Sequence, residues 1–227
     1  PPLPEGQPTT RPAGEDAAHF LIRKVRQYPH EVTIYEGGPM TNLALAISID
    51  PEFPELARDR VSMVGRLCRQ SCVAPLGHNT GDECIVWFDP ESAPCVLRPP
   101  WQKIFCTPTD ISIKTRLTPA MIKQIDASGT PLAHYVAGYF RSGQGGEYMW
   151  DELAAAAWID PSIITKRETR YLAVDLDRGA GYGNTLTWTE KDKAKIAAQP
   201  VEVQVDLDTE RFYRMFVGLM SVPSPAH

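Results

Sequence analysis

The sequence predicts an α/β domain built on a Rossmann-like open, mostly parallel sheet with helices on both faces. Three observations carry that expectation. Short apolar runs of strand character alternate with stretches of helical periodicity along the first half of the chain. Glycine and proline interrupt the chain where one kind gives way to the other. The 227 residues suffice for one large core, and no internal repeat divides them. Parallel strands need long crossovers, usually helices, so this alternating order reads as one domain over residues 1–227 with ligands bound outside the carboxyl ends of the strands.

Taken in order, residues 1–14 form a proline-rich lead-in that should lie extended on a surface, because proline fixes φ and donates no backbone N–H. Asp16 to Tyr28 places Ala17, Phe20, Leu21 and Val25 at helical spacing and predicts an amphipathic helix. Val32 to Glu36 alternates as a short buried strand, broken by Gly37, Gly38 and Pro39, after which Thr41 is expected to cap a helix beginning at Asn42. The pattern recurs: Val61 to Gly65 reads as a strand, Ile85 to Phe88 as another, Asp89 opens a helix, and Lys103 to Thr107 is a further strand. The later half is richer in helix, over Thr118 to Ala127, Pro131 to Phe140 and the alanine-rich Met149 to Ile159, with a flexible loop from Gly143 to Gly146. Strands around Tyr171 to Leu176 and Thr185 to Thr189 follow, then the alternating Val201 to Asp208 and an amphipathic helix from Thr209 to about Leu219.

Charge excludes some functions. The formal net charge is −5, with both signs mixed along the chain, so no basic stripe is present to neutralise a phosphate backbone and nucleic acid is not an expected partner. No apolar run reaches the roughly 18 residues that span a bilayer. The opening PPLPEGQPTTRPAGED is not a basic and then apolar leader, but a chain starting inside its domain would have left such a leader behind, so cytoplasmic and secreted locations both stay open. The five cysteines, Cys68, Cys72, Cys84, Cys95 and Cys106, lack the paired spacing of a zinc site. Cys68 and Cys72 can pair across a loop in an oxidising compartment, whereas Cys84 and Cys106 sit among apolar neighbours and read as buried thiols.

Strand-end loops are where chemistry is expected. EGGPMTN, Glu36 to Asn42, exposes main-chain groups at a helix entry, although the same glycines suit a plain turn. Asp82 and Glu83 precede an apolar run; Glu83 reads either as an acceptor for a polar ligand such as a sugar or as a solvated loop carboxylate, and Asp89 with Pro90 as a helix start. In YMWDELAAAAWIDP, Trp150, Asp151 and Glu152 open an apolar helix, where the helix dipole alone favours acids. His19, His30, His78, His134 and His227 show no ligand spacing. By themselves these residues indicate a ligand-binding α/β domain.

In order along the chain, GGPMTNLALAISIDPEF, VSMVG, WFDPESA, TPTDISIKTRLTP and YMWDELAAAAWIDPSIIT resemble the inosine-uridine preferring nucleoside hydrolases. The similarity covers most of Thr10 to Trp188, and PPLPEGQPTTRPAGEDA is similar to fungal members. The resemblance implies hydrolysis of the N-glycosidic bond of ribonucleosides, in which calcium binds the attacking water and the ribose diol and an aspartate acts as general base. It implies that Gly37 supplies a main-chain carbonyl to the metal, that Asp151 is a metal carboxylate, and that Glu83 and Asn42 bind substrate. Trp150 falls where many members carry a histidine that acts on the leaving base; an indole stacks on a ring but holds its proton at neutral pH.

Three departures follow from the same resemblance. The family's DxDxGxDD aspartate cluster is not found here, so the chain is expected to hold the C-terminal two-thirds of the family's domain. Ile85 and Cys84 replace the asparagine and phenylalanine of an EFN stretch, and an apolar Ile85 facing a sugar hydroxyl costs about 1–3 kcal/mol. The segment Arg66 to Gly81 lacks the family's glycine and asparagine pattern, so no contact is assigned to it. One aspartate and one carbonyl leave calcium short of its about 6–8 oxygen ligands. The expected partners are therefore a nucleoside or nucleoside-like molecule and a further copy or a complementing chain that would also cover exposed sheet edges. The competing expectation is a non-hydrolytic relative serving as a binding or assembly subunit, or recruited to another reaction on a nucleoside-like or glycosidic substrate.

Overall fold

The computed structural model describes residues 9–67, 83–141, 148–193 and 197–223. Helix α1 (Ala17–Gln27) starts where the Asp16 carboxylate accepts the His19 N–H, and residues 9–15 before it are exposed and belong to neither helix nor strand. Strand β1 (Thr33–Glu36) leads to α2 (Thr41–Ile49), and the short α3 (Phe53–Leu56) to β2 (Asp59–Met63). Then come α4 (Cys84–Phe88), α5 (Ser92–Leu97), β3 (Ile104–Thr107), α6 (Thr109–Ser112), α7 (Pro119–Asp126), α8 (Pro131–Arg141) and α9 (Trp150–Ile159). A 3-10 turn (Pro161–Ile163), β4 (Ile164–Val174), β5 (Thr185–Trp188), β6 (Pro200–Leu207) and α10 (Thr209–Ser221) complete the order.

One six-stranded sheet runs β1-β2-β3-β6-β4-β5. Its first four strands are mutually parallel, β4 is antiparallel to β6, and β5 is antiparallel to β4. Helices cover both faces, as the alternation along β1 shows. Glu36 meets Arg60 on one face, where Met40 at the head of α2 and Trp101 also touch the guanidinium. Tyr35 points to the other face and donates its hydroxyl to the Asp151 carbonyl of α9 at 2.8 Å. Two apolar clusters result: one under α1, α2, α4 and α5 around Val25, Phe53, Val96 and Ile104, the other joining α6 to α10 around Ile111, Ile125, Leu153 and Phe212. This is the expected α/β fold, with its parallel part gathered at one side of a mixed sheet.

Four boundaries differ from expectation. Ile85 to Phe88 is not a strand: Glu83 accepts the Ile85 and Val86 N–H groups and the Trp87 N–H bonds to its carbonyl, which winds the run into α4. A short apolar run has no periodicity to separate the two states, so the cap decides. Thr41 does not cap α2. It is the first helical residue, after Met40, and its hydroxyl instead donates to Asp89. Asp89 does not begin a helix; its carbonyl accepts the Ser92 hydroxyl in the turn ahead of α5. Strand β4 begins at Ile164, well before Tyr171, because Lys166, Arg167 and Glu168 hide strand character behind charge while pairing across the surface, Lys166 with Glu168 at 2.9 Å and Arg167 with Glu202 at 3.0 Å. The Gly143 to Gly146 loop, the Cys68 and Cys72 pair, Asp82, His78, His227 and most of the Arg66 to Gly81 segment lie outside the described residues. Cys106 is a buried free thiol, Cys84 is only partly buried, and Cys95 is exposed.

Candidate active site

The carboxyl ends of β1, β2 and β3 meet the N-terminus of α9, and there the structure brings several candidate residues together. Gly37 follows β1 directly. A Cβ added to it would stand 3.3 Å from Asp151 Oδ1, so the residue at a strand end and the acid in the first turn of α9 are neighbours across the fold. Tyr35 helps to set that approach through its bond to the Asp151 carbonyl. Asp151 is exposed, yet the protein around it raises its carboxyl above the usual range by desolvation. Asn42, exposed on the first turn of α2, lines with Gly37, Gly38 and Glu36 a concavity of about 290 Å³ between β1 and α1.

Glu83 is not the solvated loop carboxylate that one reading of the sequence allowed. It is buried, with Oε1 accepting the Ile85 N–H at 2.9 Å and Oε2 accepting the Gly65 and Val86 N–H groups, each at 3.2 Å. Burial pushes its pKa up, those three amides pull it down, and the nearby Glu36 charge pushes it up again. Gly65, two residues past the end of β2 where the expected strand Val61 to Gly65 would have closed, has φ +89, a conformation suited to glycine, and Glu83 ties this segment to the start of α4. A carboxylate offers about four lone-pair sites. Among the described residues three of these sites are used.

Trp150 is half-buried, packed on the first core cluster, with its ring 5.1 Å from that of Tyr148. Together with Tyr139, Phe140, Asp151 and Glu152 these rings line a second concavity of about 170 Å³. Burial raises the Glu152 carboxyl, and the neighbouring Asp151 charge adds to the rise. Ile85 is buried in the core and presents no polar atom. The structure therefore joins Gly37 to Asp151, and Trp150 to Asp151, while Glu83 serves the backbone of the adjoining strand end.

Sequence reasoning overlooked Tyr35, Arg60 and the aromatic neighbours of Trp150. Tyr35 had a usable signal, since period-two alternation from Ile34 puts it on the face opposite to the buried Glu36. The buried pair of Arg60 and Glu36, at 2.8 Å, and the convergence of Tyr139 and Tyr148 on Trp150 depend on packing between distant segments.

The residues at hand test the fit of calcium. The Asp151 carboxylate and the Gly37 main chain are close neighbours, a Gly37 Cβ standing 3.3 Å from Asp151 Oδ1, and would offer a calcium ion two oxygen donors at most. Calcium takes about 6–8 oxygens. Among the described residues no group of three or more His, Cys, Asp or Glu side chains converges to hold a metal, so these residues fit part of such a shell. No helix among the described residues is long and apolar enough to cross a membrane.

The chain is similar to known nucleoside hydrolases in sequence and in fold. The sequence model of the inosine-uridine preferring nucleoside hydrolases matches residues 3–214. A non-specific ribonucleoside hydrolase RihC of Shigella boydii is 28% identical over 219 residues, which cover 94% of this chain and 68% of that protein. Among solved structures, the plant nucleoside hydrolase PpNRh1 superposes with a TM-score of 0.81 at 24% identity, covering 95% of this chain and 71% of its own. The inosine-uridine preferring nucleoside hydrolase of Bacillus anthracis gives 0.79 at 22% identity, covering 96% and 68%. At such identities the superpositions establish the fold.

Proposed function

Because the chain belongs to the inosine-uridine preferring nucleoside hydrolase family, we propose that it takes part in hydrolysis of the N-glycosidic bond of ribonucleosides at the carboxyl ends of β1 to β3. The juxtaposition of Gly37 and Asp151 carries this reading. It brings a carboxylate and a glycine main chain, far apart in sequence, to one point beside an aromatic concavity of suitable size for a base.

In this proposal Asp151 and the Gly37 carbonyl would hold one side of a calcium ion, which when bound would polarise water and ribose hydroxyls as a Lewis acid. Asn42 and the remaining lone pair of Glu83 would meet the sugar. Trp150 would stack on the base, orienting it without giving it a proton. The rest of the oxygen shell would come from carboxylates other than those described. A second copy or a complementing chain is one source, and β1, which borders only β2 in the described sheet, offers a free strand edge for it. Sedimentation tests this part: a stable, non-associating single chain counts against it.

The test of function is calcium content together with inosine and uridine cleavage on one purified sample. Stoichiometric calcium with ribose release supports the hydrolase. A metal-free chain without release supports the second reading, a non-hydrolytic relative acting as a binding or assembly subunit. That reading is favoured by the partial donor set among the described residues and by the apolar Ile85.

A further inference from the structure

Arg60, in β2, has no exposed surface, and its guanidinium touches both ends of one loop. Nε and Nη2 each stand 2.8 Å from Oε2 of Glu36, the last residue of β1. Nη2 also donates to the Met40 sulfur at 3.7 Å, one residue before α2 begins. Between these two contacts run only Gly37, Gly38 and Pro39. Trp101 faces the guanidinium with its ring centroid 5.7 Å from Cζ. The ring is itself fixed, its Nε1 donating to the Val96 carbonyl at 2.7 Å and its edge meeting Phe53 at 5.8 Å between centroids.

As a source of stability this pair is poor. Both side chains are buried, and Glu36 Oε1 and Arg60 Nη1 have no hydrogen-bond partner among the described residues. Taking two charges out of water costs free energy that an apolar pair of similar volume avoids, so mutual neutralisation does not account for an arginine here. Its shape does. The planar fork presents N–H donors at fixed angles and a flat face for stacking, so one side chain holds a carboxylate, a sulfur and a ring together.

The loop needs such a hold. Glycine has the widest backbone freedom, and nothing lies within 4 Å of the place a Gly38 Cβ would take. A Gly37 Cβ would stand 3.3 Å from Asp151 Oδ1. Alternation along β1 keeps the two supports apart: Glu36 points to the face of Arg60, and Tyr35 to the face of α9, where its hydroxyl bonds to the Asp151 carbonyl. We propose that Arg60 is a positioning residue, clamping Glu36 and Met40 so that the Gly37 main chain keeps its place against Asp151. On the hydrolase reading above, Arg60 supports through this loop the calcium bound at Gly37 and touches neither metal nor substrate.

Nuclear magnetic relaxation on the whole chain tests the clamp. In the unaltered protein the Arg60 Nε–H and the Gly37 and Gly38 amides should all be rigid, with order parameters near about 0.85. A mobile Arg60 or a mobile loop overturns the proposal before any variant is made. Two variants follow. Arg60→Met with Glu36→Leu replaces the ion pair by an apolar one, a change that buried pairs often tolerate, and Arg60→Lys keeps the charge without the fork. In each folded variant the Gly37 and Gly38 order parameters should fall below about 0.6, while Gly129, between α7 and α8, stays unchanged. Loop amides as rigid as in the unaltered protein overturn the clamp, since a residue serving stability alone would lower Tm and leave the folded loop as it was.

Calorimetry with calcium supplies the functional arm. Affinity should fall at least about tenfold in both variants, as for residues that support metal ligands. A loosened loop with unaltered calcium affinity overturns the role of Arg60 in the site. Loosening in the variants of a protein that binds no calcium when unaltered supports the clamp and overturns calcium binding at Gly37.

Discussion

The Asp151 carboxylate rests against Gly37: a Cβ on the glycine would stand 3.3 Å from Asp151 Oδ1 and 3.2 Å from Tyr35 Cε1. Both contacts are tighter than ordinary van der Waals approach. Gly37→Ala must therefore move the acid or the tyrosine ring, while φ at this position allows a side chain. The expected outcome is a fall in calcium affinity and ribose release of about tenfold or more, with Tm nearly unchanged. Isothermal titration with calcium beside a melting curve checks it, and unaltered calcium affinity would sink the proposed pairing.

Asp151 itself is exposed and engages the protein through its carbonyl, which accepts from Tyr35. Asp151→Asn keeps size and shape, so the fold should persist. Calcium binding and cleavage should fall more than about 100-fold, since even residues that only support metal ligands cost 10–100-fold when lost. Removal of calcium with chelator should abolish cleavage by the unaltered protein in the same assay. Full activity of the variant would remove Asp151 from the site.

Glu83 serves stability through three backbone amides. Glu83→Ala leaves those N–H groups buried without an acceptor and removes the cap of α4, an expected loss of about 2 kcal/mol or more. For a chain of this size that lowers Tm by roughly 4–8 °C. The pH dependence has a definite sign. Because burial raises the Glu83 pKa, the folded state holds the proton at pH values where the unfolded chain has released it. Its contribution therefore favours folding below the ordinary carboxylate pKa and is lost as pH rises from that value through the raised one. Glu83→Gln should flatten the fall, and urea unfolding across that window measures it.

Arg60 and Glu36 are paired at 2.8 Å with side chains almost wholly buried, and Ser62 donates a further bond to the same carboxylate oxygen. Arg60→Met strands the Glu36 charge and should cost about 3–5 kcal/mol. Adding Glu36→Leu should recover much of that loss, because an apolar pair needs no desolvation of charge. Denaturant unfolding of the single and double variants decides it. A double variant no more stable than Arg60→Met would show that the pair does more than neutralise itself.

Much of the fold was legible along the chain because local periodicity and local breakers encode it. The spacing of Phe20, Leu21 and Val25 marked α1, the glycines after Glu36 marked the end of β1, and the run from Met149 marked α9. Where charge masked a strand, as at Lys166 to Arg170 of β4, or where a side-chain cap overrode an apolar run, as at Glu83 and α4, the local pattern misled. Residue order also placed the chain within its family, since matching segments in the same order need no knowledge of contacts.

The site divides in the same way. Gly37, Asp151, Trp150 and Glu83 stood out as types at strand ends and helix starts, but their relations are long-range. That Asp151 reaches Gly37, that Glu83 spends its oxygens on Gly65 and α4, and that Tyr139 and Tyr148 join Trp150 around one concavity follow from how α4, α8 and α9 pack at the strand ends. A periodic sequence sets which face a side chain takes. Which distant group it then meets is set by the crossing of elements and the burial of their faces, energies that arise only when the chain is folded.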